Sequence, residues 1–161
     1  MKDWREFRLR VFVDRSQEAV FSAWVRSGEL ERWFLTKAEY YDKEGKPLDP
    51  AESAVRGCTY RWEWVEGTIE KGSILTSDGF GSLAFSFGDG CTVALTLARL
   101  DGRTAIELLQ SHVMTDVDRR ERFYVDCLQG WTFYLANLKS VLEGGLDLRE
   151  KEPVGAHLVN V

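Results

Sequence analysis

The side chains most often used for chemistry are few and scattered in this 161-residue sequence. His112 and His157 are its only histidines, and Cys58, Cys91 and Cys127 form no CxxC pair. A zinc site needs several such ligands at close spacing, and a disulfide framework needs an even set. No metal or other cofactor is therefore expected. Carboxylates are plentiful, but none stands at a spacing that demands a catalytic partner. There is no GxSxG elbow and no P-loop. Gly79-Phe80-Gly81 with Ala84 mimics a dinucleotide fingerprint, yet Leu83, Phe85 and Phe87 alternate like a strand where a helix would be needed, so the stretch reads as a turn. The expectation is a non-enzymatic protein.

Aromatic surface is what the chain has in quantity: six Trp, nine Phe and five Tyr. Rings cover large areas and suit either a dense core or an apolar pocket. The candidate ligand-binding set is Trp24, Trp33, Tyr60, Trp62, Trp64, Tyr124 and Trp131, together with Leu135. Leu108, Gln110 and His112 fall on one face of a strand that would line the same space, with Gln110 and His112 as its polar groups. His112 there could bind or protonate a ligand. Cys127 lies on the apolar face of a helix and reads as a small hydrophobe at the pocket wall. The competing reading is that these rings simply fill the core to full density.

Composition narrows the partners. The chain is 44% hydrophobic and 29% charged, ordinary for a globular domain. Its net charge is −5 and its pI ≈ 5.2, which argues against binding to nucleic acid. No run of about 18 apolar residues is present, so no membrane span is expected. The segment MKDWREFRLR lacks an apolar signal core, which points to a cytoplasmic protein.

The elements that must position the rings can be read from periodicity. Tyr124, Cys127, Leu128, Trp131, Leu135, Leu138 and Leu142 recur every three or four residues, predicting a long helix over 119–143 with one apolar face. Asp116 and Asp118 precede it as capping carboxylates, and Gly144 and Gly145 close it. Phe7, Leu9, Val11 and Val13 alternate as a first strand. Ser16 is an expected N-cap for a short helix over 17–25, and a second short helix is expected over 29–35 after a break at Ser27-Gly28. A weak strand over 38–41 leads into an irregular stretch, 42–57, which is either a lid over the pocket or an insertion without a role. Tyr60, Trp62 and Trp64 then alternate on one strand. A strand over 69–76 carries Gly72 as a candidate bulge. Gly88-Asp89-Gly90 and Asp101-Gly102 are hairpin signals between the last strands.

This order and several local patterns resemble a known family. The matching stretches are Asp14-Arg15-Ser16-Gln17-Glu18-Ala19-Val20-Phe21-Ser22-Ala23-Trp24, Leu30-Glu31-Arg32-Trp33-Phe34 and Arg56-Gly57-Cys58-Thr59-Tyr60-Arg61-Trp62. Gly72-Ser73-Ile74-Leu75 follows, and Gly130-Trp131 with Leu135, Leu138 and Leu142 ends the series. Together they resemble the activator of ninety-kDa heat-shock-protein ATPase homologue family, of the START-like (SRPBCC, birch-pollen-allergen-like) superfamily. The resemblance implies a helix-grip fold with a cavity between sheet and terminal helix. It also implies links to the stress response.

The expected fold is α+β: a seven-stranded antiparallel sheet curved around a long C-terminal helix, with two short helices between strands one and two. It forms a single domain over 1–161, with its core at about 7–149 and a tail at 150–161. The leading function is binding of a small apolar ligand. The alternatives are a protein-interaction module with a chaperone partner or a homodimer, and a cyclase-type enzyme of the START-like class.

Overall fold

The computed structural model describes residues 2–111 and 116–161. Strand β1 (Glu6–Val13) leads to Ser16, whose hydroxyl accepts the Ala19 N–H at 3.2 Å and so starts α1 (Gln17–Val25). Helix α2 (Ser27–Trp33) begins two residues earlier than periodicity suggested. The break is Arg26 alone, extended at φ −109, ψ 126, and Ser27-Gly28 belong to the helix.

Six further strands follow: β2 (Lys37–Tyr41), β3 (Thr59–Glu63), β4 (Ile69–Ser77), β5 (Ser82–Phe87), β6 (Cys91–Leu100) and β7 (Arg103–Ser111). They form one antiparallel sheet in the order β1-β7-β6-β5-β4-β3-β2. The β6–β7 hairpin closes over Asp101-Gly102, at φ 50 and φ 74, since a two-residue turn matching the strand twist needs positive φ at both positions. Ile106, Leu108 and Gln110 share the buried face of β7, while Glu107 on the other face pairs with Arg8 (2.9 Å) and Arg10 (3.3 Å) of β1.

Two expectations need correction here. Gly72 is not a bulge: it pairs in register with Tyr60, and a side chain there would meet the Tyr60 ring at 2.5 Å. The irregularity of β4 lies at Ile74/Thr76 instead. Trp64 does not share a strand with Tyr60 and Trp62, because β3 ends at Glu63 and the Trp64 N–H turns to the Thr68 carbonyl at 3.0 Å.

Helix α3 (Val117–Leu142) lies against the sheet. Asp116 caps it by accepting the Asp118 N–H at 3.0 Å, and Gly144 at φ +82 leads the chain out. Of its seven buried residues, only Tyr124 precedes Trp131. The chain after α3 folds back over α2 and α3. Asn137, fully buried, donates to the Trp33 carbonyl (2.7 Å) and to Asp147 (3.0 Å), and accepts the Leu148 N–H (2.7 Å). Arg149 donates to the carbonyls of Leu35 and Glu31. No described helix is long and apolar enough to cross a membrane.

Candidate ligand-binding cleft

Most of the rings singled out from the sequence meet in one interior cluster. Trp24 stands edge-on to Trp33 at 4.7 Å and 6.0 Å from Trp131; Trp33 stacks on Phe34 at 5.1 Å. Tyr60 stacks on Trp62 at 3.8 Å, and Trp62 packs edge-on to Phe85 at 5.3 Å. Hydrogen bonds fix several of them: Trp33 Nε1 donates to the Ala23 carbonyl (3.0 Å), and Tyr60 Oη donates to the Ser86 carbonyl (2.5 Å). Trp24, Trp33, Tyr60 and Trp62 are buried, as are Leu108 and Leu135, and these six form core rather than wall. Tyr124 goes elsewhere. It packs edge-on to Trp4 and Phe7, both at 5.2 Å, beside β1.

Space remains at one end of the cluster. A cleft of ≈ 580 Å³ opens between the middle of α3 and the ends of β4 and β5. Trp131, Tyr134, Phe123 and Cys127 of α3 form one wall; Trp64, Glu66, Thr68 and Glu70 form the other, with Phe34 and Phe87 between them. Of the sequence-predicted set, Trp64, Cys127 and Trp131 line it. Gln110 stands just behind, fully buried, accepting the Trp131 Nε1–H at 2.7 Å, which orients the indole that faces the cleft. Its Nε2 finds no nitrogen or oxygen acceptor among the described residues and has the soft Cys127 sulfur beside it. His112 lies outside the described residues. The stretch 42–57 does not close this cleft, as a lid would. It packs on α1 and α2 instead, where Ala54 donates to the Val25 carbonyl (2.8 Å) and Gly28 to the Pro50 carbonyl (3.1 Å). The rim is completed by Val161, whose backbone oxygen accepts the Tyr134 hydroxyl at 2.7 Å.

Gly130 explains why the cleft exists. It lies inside α3, lines the cleft, and a Cβ built on it would meet nothing within 4 Å. Glycine in a helix interior costs about 1 kcal/mol relative to alanine, so an unfilled position there is a usable sequence signal for space. Tyr134, three residues after Trp131 on the same face, was also readable from periodicity. Phe87 was readable as a strand residue but not as part of the site, and Phe123 and Glu70 were not singled out by any pattern.

The electrostatics are quiet. Burial pushes the Cys127 thiol up to about 11, against a lowering contribution from Gln110, so it stays protonated near neutral pH. Burial likewise raises Glu70, while the Gly88 N–H it accepts at 2.7 Å opposes the rise and nearby Asp89 adds to it. Among the described residues no group of three His, Cys, Asp or Glu side chains is placed to hold a metal ion. A second depression, ≈ 540 Å³ along α1 and α2, includes Arg32, which pairs with Glu29 (2.6 Å), and Arg26, which donates to Ser53 (3.3 Å).

A seven-stranded antiparallel sheet gripping a long terminal helix, with two short helices after the first strand, is the helix-grip architecture. The chain belongs to the family described as Activator of Hsp90 ATPase homolog 1-like protein, which matches residues 14–143. Solved structures share the fold. A protein from Staphylococcus saprophyticus is 18% identical with a TM-score of 0.71, covering 89% of this chain and 96% of that one. The Aha1 dimer from Colwellia psychrerythraea is 16% identical with a TM-score of 0.69, covering 87% and 97%. DynU16, from the dynemicin biosynthetic locus, is 18% identical with a TM-score of 0.68, covering 91% of this chain and 50% of its own. No curated protein matches the chain in sequence.

Proposed function

We propose that this protein binds a small, largely apolar molecule in the cleft between α3 and the sheet, without transforming it. The observation that carries this reading is the open space over Gly130, where an added Cβ would meet nothing within 4 Å beside Cys127 and Trp131 of the cleft wall. Binding pockets for small molecules span roughly 300–1,000 Å³ and are walled by apolar and aromatic groups. The cleft, at ≈ 580 Å³ with six aromatic side chains in its lining, fits that description. Its one thiol is held protonated near neutral pH, which supports holding over covalent chemistry.

Titrating a neutral naphthalene dye into the protein should change Trp emission saturably, with micromolar affinity, on the order of −8 kcal/mol. Gly130→Leu places a side chain in the open space and should weaken that binding by roughly tenfold or more, equivalent to about 1.4 kcal/mol, while the far-ultraviolet spectrum stays that of the parent. Equal affinity in the two proteins would overturn the assignment. A second reading, a protein-interaction module, draws on the relative from Colwellia psychrerythraea, whose solved form is a dimer. Light scattering across the micromolar range checks it: a concentration-dependent doubling of mass would favour self-association, and a constant monomer mass would count against it.

A further inference from the structure

Resting on the ligand-binding reading above, we propose that the cleft selects an organic cation, an ammonium group carried on an apolar body. Three carboxylates line the cleft, Glu66, Glu70 and Asp126, and the described lining contains no Lys or Arg. Arg122 stands 3.8 Å from Asp126 at the exposed rim and partly offsets it. Glu66 and Glu70 make no ion pair with any described residue. Glu70 accepts one hydrogen bond, from the Gly88 N–H, which leaves carboxylate valence unused on the cleft wall.

The rings favour the same charge by a separate route. Aromatic faces carry a negative quadrupole, and a cation placed over them is attracted at contact distance. Trp64, Trp131 and Tyr134 line the cleft, so a cation held there lies beside aromatic rings from both walls. Long-range attraction from the carboxylates and short-range attraction from the rings therefore agree in sign.

The alternatives fare worse on the same grounds. An anionic ligand would enter among three carboxylates with no base to pair with, and a buried unpaired charge is costly. A neutral ligand would further desolvate Glu70 and leave it without a counter-ion. Burial already disfavours the charged form of Glu70, and an ammonium group nearby would relieve that cost. The net charge of −5 helps cations reach the site.

The test uses the intact chain and three probes of equal tail length: decyltrimethylammonium, decan-1-ol and decanoate, all below their aggregation concentrations, read by Trp emission at neutral pH and low salt. The cation should bind roughly tenfold tighter than the alcohol, and decanoate weakest. Glu66→Gln combined with Glu70→Gln should cut the cation-to-alcohol affinity ratio severalfold. The glutamine at 70 retains an acceptor for the Gly88 N–H, and circular dichroism confirms that the variant is folded. Alcohol or decanoate binding as tightly as the cation would overturn the cation assignment and leave the apolar-pocket reading standing. Saturable binding by none of the three would sink both. A ratio unchanged in the double variant would trace the preference to overall charge and overturn the role given to the cleft.

Discussion

Two glycines carry opposite consequences. At Gly130 an added methyl group meets open space, so Gly130→Ala should stabilise the protein by about 0.5–1 kcal/mol through helix propensity alone. At Gly72 the same methyl would sit 2.5 Å from the Tyr60 ring. That ring is held between its hydrogen bond to Ser86 and its stack on Trp62, so it has little freedom to move. Gly72→Ala should cost roughly 1–3 kcal/mol, as overpacked cores do. Urea unfolding of the two variants beside the parent checks both signs, and a reversed order would mean that the faces have been misassigned. At this scale the sequence was partly legible. Ring identity and helical spacing picked out Trp131 and Cys127, whereas Trp64 was chosen through a strand run that in fact ends at Glu63. Periodicity marks residues that point inward without saying whether anything touches them. That is why core rings such as Trp24 and Trp62 looked the same as wall rings. What separates the two classes is the open space beside Gly130; a hydrophobic pattern reports side chains and not gaps, so the helical glycine itself was the one readable sign of it.

Helix α3 and the chain after it are joined by polar contacts. Asn137 is wholly buried and bridges the Trp33 carbonyl, Asp147 and the Leu148 N–H. Asn137→Ala would strand those groups and should destabilise by roughly 1–3 kcal/mol. Asp147 adds a pH signature. Burial would raise its pKa, but hydrogen bonds from Arg149, Lys151 and Asn137 outweigh burial and hold it well below the usual carboxylate range. A carboxylate depressed on folding stabilises the native state above its unfolded pKa, about 3.9, and that contribution fades as pH falls below this value toward the folded pKa. Denaturant midpoints measured from pH 7 down to pH 3 should therefore fall less steeply for Asp147→Asn than for the parent over the acid part of the range. Parallel curves would show that the clasp carries no such linkage. A buried asparagine on an apolar helix face reads as an interruption in sequence, and its partners arrive from a tail with no pattern of its own, so this device was not foreseen.

For the molecule as a whole, architecture was the most legible level. Alternating strands, the Asp101-Gly102 turn and one long amphipathic run were enough to specify a sheet gripping a helix, because each signal is local and they agree. The stretch 42–57 was harder. Its role depends on which surface it packs against, and two of its anchors are backbone hydrogen bonds, to Val25 of α1 and from Gly28 of α2, that leave no pattern in the side chains. Sheet closure is non-local, since β1 pairs with β7 about a hundred residues later, as the Arg8–Glu107 bond spans 99 positions. Such topology slows the search for native contacts, so refolding from urea should take milliseconds to seconds. Completion within microseconds would contradict this pairing order.

The uneven burial of α3 gives the helix the mechanics of a beam held far more firmly at one end than at the other. Its second half is bolted to the body by Asn137, by the Lys139 ammonium on the Phe12 carbonyl (2.8 Å), and by six of its seven buried side chains. Its first half carries a single buried side chain, Tyr124, and borders the cleft through Phe123, Asp126 and Cys127. Amides in the exposed opening turns should trade hydrogen for deuterium well before those from Trp131 onward, since local opening follows local contact. A molecule that wedges between this half and the sheet would stiffen it, and the exchange map would then record occupancy without any label on the ligand.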